Sequence, residues 1–357
     1  MNEIAGFTDQ AIRTESVQRA GARASVRLLD IDRAKGLAIL LVVLGHLSRE
    51  APPGNEWYGV LKDCLYHFHM PFFMCLSGVT MYLSYKRIDT LPTYLAYMRG
   101  KFLRLMLPFL VFAVLILLGK RFAAQFVPID NVPDDLWNGA WTILTKPITS
   151  AAGSLWYIYT LFLFYAAMPL LTRIEDKRPV YLLSLAVVLH LVPMNRSVAD
   201  WFMLSQFSEY LLYLVIGFWI ARYYRRWTQI LDSGRPWLVC AFLILVLLYI
   251  LLPNVPVITT KTALGLASIP ALHAIVRHPW AERGGWLALL GAYSLTIYLF
   301  NLIFVSLARV ASMLVVEWGG TWFPLTATAM FLSGLLLPIL LSRLLLQRVS
   351  WLDRMTR

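Results

Sequence analysis

Apolar stretches of membrane-spanning length recur along this chain and constrain its fold more than any other feature. They cover residues 33–50, 66–85, 102–119, 155–172, 180–194, 207–222, 236–252, 262–276, 287–307 and 322–346. A hydrocarbon core roughly 30 Å thick is crossed by roughly 20 helical residues. The fifth stretch is short for that, and the eighth is interrupted by Pro270. The stretches are continuously apolar and do not alternate, so the spanning element is a helix and not a barrel strand. Composition agrees. Hydrophobic residues make up 59% of the 357 and charged residues 15%, with a mean hydropathy of +0.64, whereas a soluble domain carries about 25% charged residues. A soluble enzyme, a disordered chain and a secreted disulfide scaffold are excluded. The expected fold is an all-α integral membrane protein of about ten transmembrane helices: a tail over 1–30, a transmembrane domain over 31–348 and a second tail over 349–357.

Orientation follows from the loops. Lys and Arg total 32 against 20 acids, a formal net charge of +12. With alternating crossings, 24 of the 32 basic residues fall on the side that holds both tails, while the acids split nearly evenly. This is the positive-inside pattern, so both termini are expected in the cytoplasm and the basic excess calls for no nucleic acid. The first thirty residues carry Arg13, Arg19, Arg23 and Arg27 without an apolar core, unlike a cleavable signal peptide. Cys64, Cys75 and Cys240 lie far apart in apolar surroundings, a pattern of neither a zinc site nor a disulfide framework. The longest outside connection, about 120–154, holds Asp130, Asp134, Asp135, Trp137 and Trp141. It reads either as a sugar-facing surface or as an interfacial aromatic belt.

Ionisable residues inside spans are costly and face the bundle interior, so each is a functional candidate. In LLDIDRAKGLAILLVVLGHLS, Lys35 and His46 are separated by three turns plus about 20°. They share one helix face, with Asp32 close to it, and lie about 16 Å apart along the axis. A cation at the mouth and an imidazole deep inside suit a long ligand with an anionic end and a reactive end. Lysine reads phosphate as a point charge, and a neutral histidine takes a proton from a hydroxyl. The competing reading makes Asp32, Arg33 and Lys35 interfacial anchors and leaves His46 hydrogen-bonded to a neighbouring helix.

The second helix reads LYHFHMPFFMCLSGVTMYL. His67 and His69 are expected near its outer end on different sides, and Pro71 suits a first helical turn. Ser77 and Gly78 mark a small, close-packing position. Neither histidine has further ligands at a metal-site spacing, so no metal is expected. In YMRGKFLRLMLP, Lys101 and Arg104 stand one turn apart at the entry to the third helix. They would clamp phosphates beside Lys35 or act as ordinary positive-inside anchors.

These motifs resemble the acyltransferase-3 family of membrane O-acyltransferases. That family opens with Asp, two residues, a basic residue, Gly and an apolar run ending in His, matched here by Asp32, Lys35, Gly36 and His46. HMPFFMCLSG is similar to its second-helix motif, particularly in the branch acting on exopolysaccharide and fucosyl residues. KFLRLMLP matches its basic third-helix entry, SLWYIYTLF (Ser154 to Phe162) its tryptophan-containing fourth helix, and GAYSLTIYLFN its late segment. That late segment commonly ends in His, where this chain has Asn301.

The resemblance implies acyl transfer from cytoplasmic acyl-CoA, usually acetyl-CoA, to a carbohydrate hydroxyl in the bacterial inner membrane. His46 corresponds to the catalytic histidine, Lys35 to the donor-side basic residue, and Lys101 and Arg104 to the basic positions after the second helix. Asp32 joins the donor group. Asn301 and Ser77 are expected as donors to the developing oxyanion, and His69, Trp156 and Tyr298 on the acceptor side. The implied partners are acyl-CoA as co-substrate, a glycan or lipid-linked oligosaccharide acceptor and membrane lipids, with no further cofactor. A transporter or flippase of lipid-linked glycans is the alternative. It predicts inverted repeats or matching broken helices, which the sequence does not display.

Overall fold

The computed structural model describes residues 28–48, 50–125, 131–133, 135–192 and 196–348. Residues 1–27 and 349–357 of the two tails, and Asp130 and Asp134 of the long connection, lie outside the described residues. Among the described residues the chain is helical, with no strand. In order come α1 (Leu29–Gly45), α2 (Glu56–Ser84), α3 (Leu91–Ala123), α4 (Leu136–Thr145), α5 (Trp156–Lys177) and α6 (Pro179–Leu191). There follow α7 (Leu204–Arg222), α8 (Tyr224–Leu251), α9 (Val257–Val276), α10 (Trp286–Ala292), α11 (Ser294–Met313) and α12 (Phe323–Leu344).

Among the described residues each apolar stretch coincides largely with a helix, the ninth with two, because the chain bends at Tyr293 between α10 and α11. Among the described residues, six helices are long and apolar enough to cross a membrane: α3, α8, α11 and those containing α5, α7 and α12. α8 is the most outward of them. It buries only Leu231 and Phe242 and exposes Trp237, Leu243 and Leu247.

Two prolines sit differently from the sequence expectation. α2 begins at Glu56, ten residues before the apolar stretch, so Pro71 lies inside the helix and His67 and His69 lie mid-helix. The mixed polarity of EWYGVLKDCL hid this extension from a reading of apolar runs. α9 likewise runs unbroken through Pro270. A proline removes one N–H from the ladder, and packed neighbours in a membrane bundle tolerate that loss.

α1 is the central helix, packed against α2, α9, α10, α11 and α12, with Ala34, Ala38, Ile39, Val42 and Val43 buried. Glycine lets its backbone approach α10. A Cβ on Gly36 would lie 1.9 Å from the Leu287 carbonyl oxygen, and one on Gly291 1.9 Å from that of Asp32. α2 crosses α7 the same way, with a Cβ on Gly78 falling 2.3 Å from Leu214 O and one on Gly217 2.2 Å from Cys75 O. Small residues permit such crossings where lipid supplies no hydrophobic drive between helices.

Both ends of α1 are tied. At its start the buried Asp30 carboxylate accepts from Tyr224 Oη, from Arg277 Nη1 at 2.7 Å and from His273 Nε2 at 3.3 Å. Trp227 Nε1 donates to His273 Nδ1 at 3.0 Å, so the imidazole proton sits on Nε2 toward Asp30. Arg277 also bonds Asp232 at 2.6 Å. Hydrogen bonds to Asp232 and Asp30 push the Arg277 guanidinium above its ordinary pKa. At the other end Tyr58 Oη donates to Leu44 O and Tyr66 Oη to Gly45 O, each at 3.0 Å. They satisfy carbonyls that a helix terminus leaves without partners.

Candidate active site

Two cavities lie on either side of Tyr298, which lines both. The first, about 520 Å³, is lined by Asp32 and Lys35 of α1, Lys101 and Arg104 of α3, and Ser77 of α2. Two helices, α1 and α3, thus bring together the four residues expected at a donor end. Lys101 Nζ lies 3.8 Å from the ring centroid of Tyr165 and 5.3 Å from that of Tyr97, contacts in which a π-face stabilises a cation. Arg104 sits in a π-helical turn, Phe102–Met106, where Leu107 N bonds back to Phe102 O. Such turns rotate the register of a helix and concentrate at functional sites. Arg33 does not join this cluster: it pairs with Glu282 at 3.1 Å, an anchoring role.

The second cavity, about 350 Å³, is lined by His46, His69, Trp156, Tyr66 and Tyr298, together with a polar group from α7 and α9. His46 follows the last residue of α1. Its Nδ1 lies 3.1 Å from Asn301 Oδ1, and Asn301 Nδ2 donates to Ile297 O at 2.9 Å and Tyr298 O at 2.8 Å. Only an amide nitrogen can face two carbonyls, so the orientation of Asn301 is assigned by its hydrogen-bond network. Its oxygen must then accept from His46 Nδ1–H, which leaves Nε2 as the basic nitrogen. His69 Nδ1 donates to Leu65 O at 2.6 Å, giving it the same tautomer.

Two of the groups expected as oxyanion donors have their hydrogens engaged elsewhere. Both amide hydrogens of Asn301 are used on backbone carbonyls and its oxygen faces the His46 imidazole. Ser77 lies on the first cavity, away from His46, where its Oγ donates to Phe73 O at 3.0 Å and shares a 2.6 Å bond with Tyr157 Oη. Its single hydrogen is likewise used. Tyr298 Oη donates to Ser154 O at 2.6 Å and accepts from Tyr157 N at 3.3 Å, which holds the phenol in place where it borders both cavities.

The polar group of the second cavity, Gln206, Glu209 and Lys261, was not among the sequence candidates. Glu209 carried a legible signal as a carboxylate inside the stretch 207–222. Lys261 falls between the apolar stretches 236–252 and 262–276, where a reading of spans places a loop. In the long connection, Trp137 and Trp141 are exposed on α4 and Asp135 caps that helix by accepting from Asn138 N at 2.7 Å; none of the three lines either cavity. Among the described residues, no three His, Cys, Asp or Glu side chains are grouped to hold a metal ion.

Comparison with known proteins bears on this arrangement. The chain is similar to nodulation protein NolL of Mesorhizobium japonicum, 28% identical over 165 residues that cover 45% of this chain and 40% of that protein. It is also similar to nodulation protein NolL of Sinorhizobium fredii, 28% identical over 198 residues, 53% of this chain and 51% of that protein. The chain therefore spans about half or less of the length of these curated relatives. No solved structure matches it. A family profile described as an acyltransferase domain matches residues 28–343, from the residue before α1 to the last turn of α12, and the chain belongs to that family.

Proposed function

We propose that this protein is an O-acyltransferase of the bacterial inner membrane. It moves an acyl group, acetyl in the simplest case, from cytoplasmic acyl-CoA to a sugar hydroxyl of an exopolysaccharide or its lipid-linked repeat unit. The observation that carries this reading is the pair of cavities meeting at Tyr298, one lined by Lys35, Lys101 and Arg104 and the other by His46. In this reading the chain crosses the membrane ten times with both termini cytoplasmic, and the basic cavity opens to the cytoplasm.

Lys35, Lys101 and Arg104 hold the CoA phosphates, where point charges and a guanidinium fork serve equally. The pantetheine arm carries the thioester past Tyr298 toward His46. The acceptor hydroxyl approaches from the other cavity and its oxygen attacks the thioester carbonyl carbon. His46 Nε2 takes the hydroxyl proton as the C–O bond forms. Collapse of the tetrahedral intermediate breaks the C–S bond, and the departing thiolate takes the proton back from the imidazolium. Asn301 holds the ring in the tautomer this sequence needs, by accepting from Nδ1–H before and after each transfer.

Substitutions at the two ends of α1 test this assignment. His46→Ala should lower turnover by on the order of a hundredfold while acetyl-CoA still binds in calorimetry. Lys35→Ala should do the reverse, and Lys35→Arg should retain binding because charge and not exact shape is required. Folded wild-type protein that binds no acyl-CoA would overturn the enzyme reading and favour a glycan transporter.

A further inference from the structure

Glu209 of α7 and Lys261 of α9 line the His46 cavity and also a neighbouring cavity of about 240 Å³, so the pair stands between the two. Lys261 Nζ donates to Glu209 Oε1 at 3.4 Å, and the side chains keep 36% and 30% of their surface accessible. The pair is therefore open to both cavities and within reach of a ligand in either. The pair is not the sole polar tie between these helices: His190 of α6 bonds Glu209 O at 2.7 Å and Thr262 Oγ1 at 2.8 Å.

The surroundings of the pair suit a hydroxyl-rich ligand. Gln206, one turn before Glu209, lines the same cavity. Ser205 Oγ donates to its Oε1 at 2.7 Å, fixing the amide by its oxygen and keeping its NH2 group for another acceptor. Trp156 and Tyr210 also line the cavity, with ring centroids 5.0 Å apart and planes inclined by 34°. The residues just before α7 are held in an unfavourable conformation, Phe202 at φ 48° and Met203 at φ 59°. Residues with bulky side chains rarely adopt it, and such strain clusters where a site needs a particular presentation.

Resting on the O-acyltransferase reading, we propose that Gln206, Glu209 and Lys261, with the Trp156–Tyr210 rings, form the subsite that holds the acceptor sugar against His46. A pyranose offers adjacent hydroxyls that each donate and accept, along with an apolar ring face. A carboxylate accepts at about four positions and an ammonium donates three hydrogens. The bond between them uses one of each, so both can engage a sugar without breaking the pair. The neighbouring cavity gives the rest of the glycan an outlet beyond the pair.

The test uses purified full-length protein in nanodiscs and a panel of methyl pyranosides in the gluco, manno, galacto and fuco forms. Bound sugar is read by saturation-transfer NMR, and acyl transfer from acetyl-CoA to the same compounds is followed in parallel. Wild-type protein should bind at least one pyranoside. Glu209→Gln and Lys261→Met should each weaken that binding, and raise the acceptor KM, at least tenfold, with the acetyl-CoA KM within twofold. If Lys261→Met fails to insert, Gln206→Leu carries the same expectation with the ion pair intact. Exchanging the charges (Glu209→Lys with Lys261→Glu) restores an ion pair but not the ligand geometry, so sugar binding should stay weak in a folded protein. Recovery of sugar binding in that swap would make the pair structural and overturn the proposal, as would wild-type protein that binds no pyranoside. The two readings fail separately. Sugar binding that needs the pair but is never followed by acyl transfer keeps the subsite and overturns the acyltransferase. Acyl transfer with an unchanged acceptor KM in these variants does the opposite.

Discussion

Replacing Gly36 by Ala should disable the donor end of the protein by a purely mechanical route. The added Cβ would lie 1.9 Å from the Leu287 carbonyl oxygen and 2.7 Å from its carbonyl carbon. Real Cβ contacts begin near 3.0 Å and are ordinary at 3.4 Å, so α1 and α10 must part by roughly 1 to 1.5 Å. The obstacle is backbone, which cannot swing aside as a side chain does. Overpacking of this kind costs about 1–3 kcal/mol. Tyr58 and Tyr66 hold the far end of α1, so the displacement falls mainly on Lys35, next to Gly36, and less on His46. A positioning error of about 1 Å costs on the order of a hundredfold in favourable cases. The loss should therefore show as a raised acetyl-CoA KM and a lowered melting temperature in micelles. Gly291→Ala meets the mirror-image clash with Asp32 O at 1.9 Å and should behave alike. One separation relieves both clashes, so the double variant should cost less than the sum of the singles. Gly119→Ala, where a Cβ has nothing within 4 Å, is the control and should melt no lower than wild type. Wild-type melting and donor KM in Gly36→Ala, or strict additivity in the pair, would refute the reasoning.

Other outcomes are expected with less elaboration. Asn301→Leu removes the acceptor for His46 Nδ1–H, a hydrogen bond of about 1 kcal/mol net, so turnover should fall about fivefold with acetyl-CoA affinity retained; unchanged turnover would leave Asn301 a packing role alone. In a Cys240→Ser background, which removes the exposed thiol, a cysteine at Trp137 should label from the periplasm and one at Arg226 only after permeabilisation. The opposite pattern would overturn the cytoplasmic termini and the cytoplasmic donor.

The apolar stretches were legible as helices because lipid leaves the backbone few alternatives, and that constraint acts residue by residue along the chain. The Lys35–His46 relation was legible for a similar reason: it lies within one helix, whose pitch converts spacing into geometry. Motif resemblance added the pairing of this helix with KFLRLMLP and GAYSLTIYLFN, but not its geometry. Where polarity was mixed, as in residues 56–65, the same method stopped short and misplaced Pro71.

Tertiary structure decided what depends on contacts between helices distant in sequence. It brought Asn301 to His46 across 255 positions, with the amide oxygen toward the imidazole and the amide hydrogens on backbone carbonyls. It separated Ser77 from His46 by putting them on different cavities, and it set Tyr298 between those cavities. It also joined Glu209 to Lys261, one read from sequence as part of a span and the other as part of a loop. Helical periodicity says which residues share a face, but which face meets which is chosen by packing, here where Gly36 with Gly291 and Gly78 with Gly217 let helix backbones meet closely.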